Sequence, residues 1–417
     1  MSELASRDFE RILIIKPSSP GDIIHALPIL RKLRERYPKA HLAWLVATPF
    51  VNLIDADPAL EEVIPFDRKR FAQIGRSIGV TTEFIRYVKS LRARRFDLVI
   101  DLQGLIRSGF MSWFSGARER IGFRDAREGA WIFYNRRIGR LPADMHAADK
   151  LLALGGMLGL SEAKPDFRVA VTQEDRAHAD GLLVEAGIGK GQPFAVLVPG
   201  TRWETKRWPA ERYGELARVL MERHGMPSVL VGAEADFADG ELAVGASRVT
   251  PRSRKSESFV ALASTSDANT SSHSSPSPQP SPFEGEGVGA AARNLCGKTT
   301  FRQLAALIDR AAVVVTADSA PMHIAAAHGR PLVALFGPTN PVRTGPYGRL
   351  DDVLRLPLEC SPCYFRKLSQ CPFGQKCMRI WMLEKLETRS ADDCRRLQWH
   401  DRGIPVRFWQ SVNGSNW

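Results

Sequence analysis

Residues 311–340, AAVVVTADSAPMHIAAAHGRPLVALFGPTN, constrain the fold of this 417-residue chain more than any other stretch. The β-branched run 313–315 predicts a buried strand that stops at Thr316-Ala317-Asp318-Ser319. Pro321 then opens a segment in which Met322, Ala325 and Ala326 recur at helical spacing, and Gly329-Arg330-Pro331 closes it. A second apolar run, 332–336, ends in Gly337-Pro338-Thr339-Asn340. Two buried parallel strands joined by a helix form a βαβ unit, and such units bind ligands at the carboxyl ends of their strands, where both polar clusters lie. Backbone N–H groups of Ser319 and Ala320 at a helix start suit phosphate oxygens, and His323 lies one turn in. Asp318 cannot face an anion without repulsion, so it is read as orienting the loop or a neighbouring cation. Ordinary N-capping by Asp or Ser fits this turn equally well.

The pattern repeats. Residues 11–16 (RILIIK) predict a strand, 17–22 (PSSPGD) a turn, and 23–37 an amphipathic helix ended by Pro38. Strands follow at 41–47, 63–66 and 96–100, the last ending in Asp101-Leu102-Gln103-Gly104. After a weaker, helical bridge over 144–180, residues 194–198 start a second set of strands that ends in PGTRWETKRWP (199–209). A helix is expected at 210–224 and a strand at 228–231, followed by Gly232-Ala233-Glu234. The reading is α/β: two halves, each a parallel sheet with helical crossovers, facing a central cleft. Thr201, Arg202 and Lys206 present a hydroxyl and cations suited to a diphosphate, and Glu234 a carboxylate suited to vicinal ribose hydroxyls. No G-x-G-x-x-G and no Walker lysine motif occurs, which argues against a dehydrogenase or a P-loop NTPase.

Residues 247–293 break the rhythm. They are rich in Ser, Pro and Gly and nearly free of aliphatics, and are read as a disordered insertion, either a tolerated loop or a lid. Five of the six cysteines fall in the tail; Cys360, Cys363, Cys371 and Cys377 fit either a loosely spaced zinc site or plain thiols. Net charge is +12, and residues 66–95 alone hold nine Lys or Arg against Asp67 and Glu83. That excess favours an anionic partner; a basic helix through Ile85, Val88 and Leu91 suits either a membrane surface or plain solvation, and no nucleic-acid motif accompanies it. No window is apolar enough for a spanning helix or a signal peptide, so a cytoplasmic protein is expected.

KPSSPGDIIHALP (16–28), PGTRWETKRWP (199–209), GAE (232–234), DSAPMH (318–323) and FGPTNP (336–341), in that order, resemble the ADP-heptose:lipopolysaccharide heptosyltransferases of glycosyltransferase family 9. The resemblance implies a GT-B architecture of two Rossmann-like domains. Residues 1–185 would bind the acceptor and 186–358 the ADP-sugar, and the tail 359–417, through a helix at 380–386, would return to the first domain. It implies Asp22 as catalytic base, although a helix cap suits that residue as well. Thr201, Arg202, Lys206, Glu234, Asp318, Ser319, Ala320 and His323 would hold the donor, and Ser18, Ser19, Gly21, Gln103 and Arg107 the acceptor. In the family Ala320 is often Gly, which a backbone N–H contact tolerates unless the turn demands positive φ. The implied chemistry is inverting transfer of heptose from ADP-heptose to a phosphorylated lipid A/Kdo-type acceptor of the lipopolysaccharide inner core, with no cofactor or metal. A peripheral contact with the anionic inner membrane goes with it. A different sugar or acceptor, or a non-catalytic nucleotide-sugar or lipid binder, are the alternatives.

Overall fold

The computed structural model of the chain describes residues 3–248 and 290–379. The first half holds β1 (Arg11–Ile15), β2 (His41–Ala47), β3 (Glu62–Phe66), β4 (Leu98–Asp101), β5 (Glu119–Phe123) and β6 (Arg136–Ile138). They pair in parallel in the order β3-β2-β1-β4-β5-β6. The second half holds β7 (Ala195–Val198), β8 (Ser228–Leu230), β9 (Ala292–Asn294), β10 (Val313–Ala317), β11 (Leu332–Phe336) and β12 (Val353–Arg355). Its order, β9-β8-β7-β10-β11-β12, is the same arrangement again. In each half the chain runs outward from the first strand, returns, and runs out the other way. A crevice therefore opens where the order reverses, between β1 and β4 and between β7 and β10.

Helices α1 (Pro20–Arg36), α2 (Ile78–Ala93), α3 (Ile106–Phe114), α4 (Ala147–Gly155) and α5 (Gln173–Glu185) belong to the first stretch of chain. They are followed by α6 (Ala210–His224), α7 (Phe237–Ala246), α8 (Phe301–Ile308) and α9 (Ala320–Ala327). Side chains alternate across each strand and sort into separate cores. Ile12 and Ile14 of β1, with Val196 and Val198 of β7, join one continuous core with α1, α8 and α9 between the sheets. Leu13 and Ile15 face the outer layer under α2, and Ala195 and Leu197 the outer layer under α6. Both faces of the central strands are buried, which is why they read as unbroken apolar runs. The halves are therefore held together by apolar packing, with Tyr347 Oη donating to Asp149 at 2.7 Å and Arg302 donating to Asp55 across the seam.

The expected strands and helices recur within a few residues of their predicted ends. Four edge or near-edge strands, β5, β6, β9 and β12, are additions: ERIGF, RRI, ARN and VLR are too short and too polar to stand out without a neighbour to pair with. One boundary needs correction. The expected insertion ran from 247 to 293, but Ala292 and Arg293 pair with β8, because a strand bonded along its edge needs no apolar run of its own. Arg248 and Ala290 form an antiparallel bridge, so the excursion leaves and re-enters at one point of the edge, the least costly place for extra chain. The tail helix expected at 380–386, and Cys394, lie outside the described residues.

Helices α6 and α7 approach closely at Gly214, where an added Cβ would stand 2.2 Å from the carbonyl oxygen of Ala243. Gly214→Ala should therefore force the helices apart and destabilise the protein by about 1–3 kcal/mol, read as a lower urea midpoint at unchanged slope. An unchanged midpoint would mean that the helices slide without cost.

Candidate active site

The polar ends of β1, β4, β7 and β10 converge on the seam between the halves. After β1 the chain turns through Pro17–Pro20 into α1, and Asp22 sits in its first turn. Asp22 Oδ2 accepts from the backbone N–H of Ser19 at 3.0 Å and from its hydroxyl at 2.7 Å. The capping alternative is thus realised, but by one oxygen; Oδ1 has no hydrogen bond among the described residues. Burial works to raise the Asp22 pKa, yet the Lys16 charge, the Ser19 bonds and His323 outweigh it and hold the carboxyl below its ordinary 3.8. Lys16, at the end of β1, is itself buried and donates to Leu102 O at 3.1 Å, tying the β1 turn to the β4 turn.

On the opposite side, Lys206 Nζ lies 2.6 Å from Asp318 Oδ2, and Thr339 Oγ1 donates to the same oxygen at 2.7 Å. Asp318 therefore orients a cation, as its place in the turn suggested. The Lys206 ammonium also stands 4.3 Å from the centre of the Trp203 ring. Ser319 gives α9 no side-chain cap; its hydroxyl pairs with Thr316 Oγ1 at 3.1 Å, which leaves the first amides of the helix to other partners. Ala320 is helical, not at positive φ, so the turn does not require glycine there.

His323 bridges the two sides. A Cβ on Gly21 would fall 2.8 Å from its ring, so glycine is what lets the β1 turn meet α9. Its Nδ1 is 3.1 Å from Nε2 of His25 on α1. Burial dominates in lowering the His323 pKa to about 4; Asp318 and Asp22 oppose it, while His146 and Lys206 add to it. His323 is thus neutral at physiological pH. Because this folded value lies below the unfolded one, the unfolded chain takes up the proton first as pH falls. His323 should contribute full stability above pH 6.5 and lose about 3 kcal/mol progressively down to pH 4. Denaturant titrations between pH 7.5 and 4.5 check this, with His323→Gln expected to flatten the slope; equal slopes would contradict it.

The other candidate residues are placed as follows. Thr201 is buried, its hydroxyl donating to Trp203 O at 2.7 Å, so it shapes the loop that carries Lys206. Arg202 and Arg107 are exposed and make no ion pair among the described residues. Glu234 is exposed in the turn after β8, one strand aside from the β7–β10 crevice. Ser18 accepts from Arg68 at 2.9 Å. The N–H of Gln103 donates to Asp101 at 2.8 Å, while its Oε1 is buried without a partner.

Sequence reading missed the residues that support this cluster. Lys16 and Thr339 lay inside recognised motifs without being singled out. Asp236, pressed under Gly200, accepts from Ala233 N at 3.0 Å and from Arg207 at 3.1 Å. The cysteine-bearing segment folds back over the loop: Gln375 Nε2 donates to the carbonyls of Glu204 at 3.1 Å and Arg207 at 2.8 Å, and Tyr364 N to Pro338 O at 2.8 Å. Spacing alone gives no sign of these long-range contacts. Cys360, Cys363, Cys371 and Cys377 are free thiols, and no group of three or more potential ligands is poised for a metal among the described residues.

Two doubly wound sheets whose crevices meet across a seam, with a carboxylate on one side and a lysine and a helix start on the other, define the GT-B class of sugar-nucleotide-dependent glycosyltransferases. The profile of Glycosyltransferase family 9 (heptosyltransferase) matches residues 84–260 and 285–373, and the chain belongs to that family. It is 28% identical over 368 residues to the lipopolysaccharide core heptosyltransferase OpsX of Haemophilus influenzae, covering 88% of this chain and 90% of the relative. It is 29% identical over 359 residues to lipopolysaccharide heptosyltransferase 1 of Pseudomonas aeruginosa, covering 85% and 86%. Among solved structures, ADP-heptose LPS heptosyltransferase II of Escherichia coli superposes with a TM-score of 0.60 at 25% identity, covering 83% of this chain and 90% of the other. The E. coli heptosyltransferase WaaC with ADP-2-deoxy-2-fluoro heptose does so with 0.60 at 25%, covering 83% and 93%.

Proposed function

We propose that this glycosyltransferase moves heptose from ADP-heptose to the inner core of lipopolysaccharide by a single displacement that inverts the anomeric centre. The observation that carries the reading is the close approach of His323 to Gly21 in the turn that bears Asp22, with Asp22 and the Lys206-paired Asp318 both acting on the His323 ring as nearby negative charges. The names of the relatives and the sugar nucleotide held by the WaaC neighbour support the choice of sugar and acceptor.

In this reading the donor lies in the β7–β10 crevice, its diphosphate on Lys206 and the first amides of α9, its ribose toward Glu234, with Thr201 and Arg202 in the flanking loop. The acceptor enters over Ser18, Ser19, Gly21, Gln103 and Arg107. Asp22 Oδ1 takes the proton of the acceptor hydroxyl as its oxygen bonds to the anomeric carbon. The bond from that carbon to the β-phosphate oxygen breaks, and the charge arriving on ADP is met by Lys206 and the helix start. Protein cations carry this charge, and no metal is assigned to the step. The exposed basic surface of α2 is assigned to the anionic membrane that presents the acceptor; among the described residues no helix is long and apolar enough to cross it.

Incubating the full chain with ADP-heptose and a panel of truncated phosphorylated lipid acceptors, with products read by mass, tests the reading. Addition of one heptose to an inner-core acceptor is expected. Transfer from another sugar nucleotide but not from ADP-heptose would overturn the donor assignment.

A further inference from the structure

We infer that His25, on the acceptor side of the seam, sets the ring tautomer of His323, so that His323 presents an Nε2–H donor to the cleft. His25 is 3% exposed, its Nε2 3.1 Å from His323 Nδ1, with the rings edge to face at 78° and 4.3 Å between centres. Burial first, then the neighbouring charges of His323, His146 and Lys16, hold the His25 pKa well below 6.5, and His323 is held down as well. Between two neutral imidazoles joined by one hydrogen bond, one nitrogen donates and the other accepts. Two arrangements exist.

In the first, His25 Nε2–H donates, its Nδ1 is a bare acceptor, and His323 keeps its proton on Nε2. In the second, His323 Nδ1–H donates, and His25 must carry its proton on Nδ1. That Nδ1 is buried and has no partner. A buried N–H without an acceptor is the rarer and costlier defect, so the first arrangement is favoured. The adjoining cavity is lined by Ile24, Phe167, Ala326 and Ala327, with His25, His323 and Tyr347 as its polar members, and the Tyr347 hydroxyl proton is already committed to Asp149.

The other face of His323 gives an independent reason. Its Nε2 lies 3.1 Å from the point where a Gly21 Cβ would stand, and both Asp22 and Asp318 act on the ring as nearby negative charges. An N–H in that position is attracted to carboxylates and to a diphosphate, whereas a lone pair is repelled. His146, edge-on to His25 at 5.1 Å, makes no competing bond. Its Nδ1 accepts from Ala148 N at 3.1 Å, and its Nε2 is 3.1 Å from Gly345 O.

His25 is therefore a positioning residue. It belongs to the half that carries Asp22 and acts through a residue of the half that carries Lys206, so the ring is correctly protonated only while the halves are joined. Its catalytic consequence rests on the transfer reading above, but the tautomer itself does not. The test is nitrogen NMR of the full chain labelled at histidine, with His323→Gln assigning the resonance, alongside transfer kinetics for His25→Gln and His25→Leu. Wild type should show His323 protonated at Nε2. His25→Gln, whose amide N–H reaches where Nε2–H did, should retain that state and most of kcat. His25→Leu should show a mixture of tautomers and a kcat lower by on the order of tenfold. His323 protonated at Nδ1 in the wild type, or an unchanged His323 spectrum in folded His25→Leu, overturns the inference. Should His25→Leu not fold, the wild-type and His25→Gln spectra decide it. Should heptose transfer fail, the spectra still do.

Discussion

Asp22→Asn is expected to lower kcat for heptose transfer by roughly 10²–10⁴-fold while leaving ADP affinity unchanged. The amide keeps an oxygen to accept from Ser19, so the start of α1 survives, but it cannot take up a proton from the acceptor hydroxyl. Transfer rates set beside calorimetric ADP binding separate the two roles. A base must be ionised, and the Asp22 pKa is displaced downward against the pull of burial, by Lys16, Ser19 and His323. The acid limb of kcat/KM in the wild type, which reports the free enzyme, should accordingly fall only as pH drops through a value beneath 3.8. Undiminished transfer by Asp22→Asn would remove this carboxylate from the mechanism and reduce it to a cap.

Lys206→Met should cost about 10²–10³-fold in kcat/KM, because it deletes the cation that meets the leaving diphosphate. The loss has a second component. Lys206 is the cation bonded to Asp318, whose carboxylate would then keep only Thr339 and would stand unneutralised beside an incoming anion. Lys206→Met combined with Asp318→Asn should therefore be less impaired than the two single losses multiplied together, and a double-mutant cycle in kcat/KM reads that coupling. Strict multiplicativity would show that the pair does not act as a unit.

Much of this site could be read from residue order because each functional turn follows a strand that announces itself. The runs RILII, AVLV and VVVTA are apolar on both faces, and a chain that leaves such a strand must turn at the sheet's edge in polar residues. Lys206 and Asp318 stand out that way; Asp22 lies in such a turn, but its role is what the resemblance to the family implies. His25 does not stand out, since a histidine among the apolar residues of an amphipathic helix looks like any other core-facing polar group until its partner is seen on another helix. Gln375, Asp236 and Thr339 were missed for the same reason: they hold the site through contacts with residues far off or merely nearby in the chain, and such pairings leave no periodic trace.

What residue order alone determined is the alternation of strand, polar turn and helix in two successive halves, and with it the set of turns that could meet a ligand. Periodicity encodes which face of each element is apolar, and glycine, proline and acidic residues mark where each element stops. Which turns become neighbours was decided only in three dimensions. The order β3-β2-β1-β4-β5-β6 and its repeat in the second half place the ends of β1 and β4, and of β7 and β10, at points of reversal. The shared apolar core between the sheets then closes those points on each other, so that His323 comes to rest against Gly21. The direction of each crossover and the packing of α1 on α9 depend on how whole surfaces fit, a property of many residues at once.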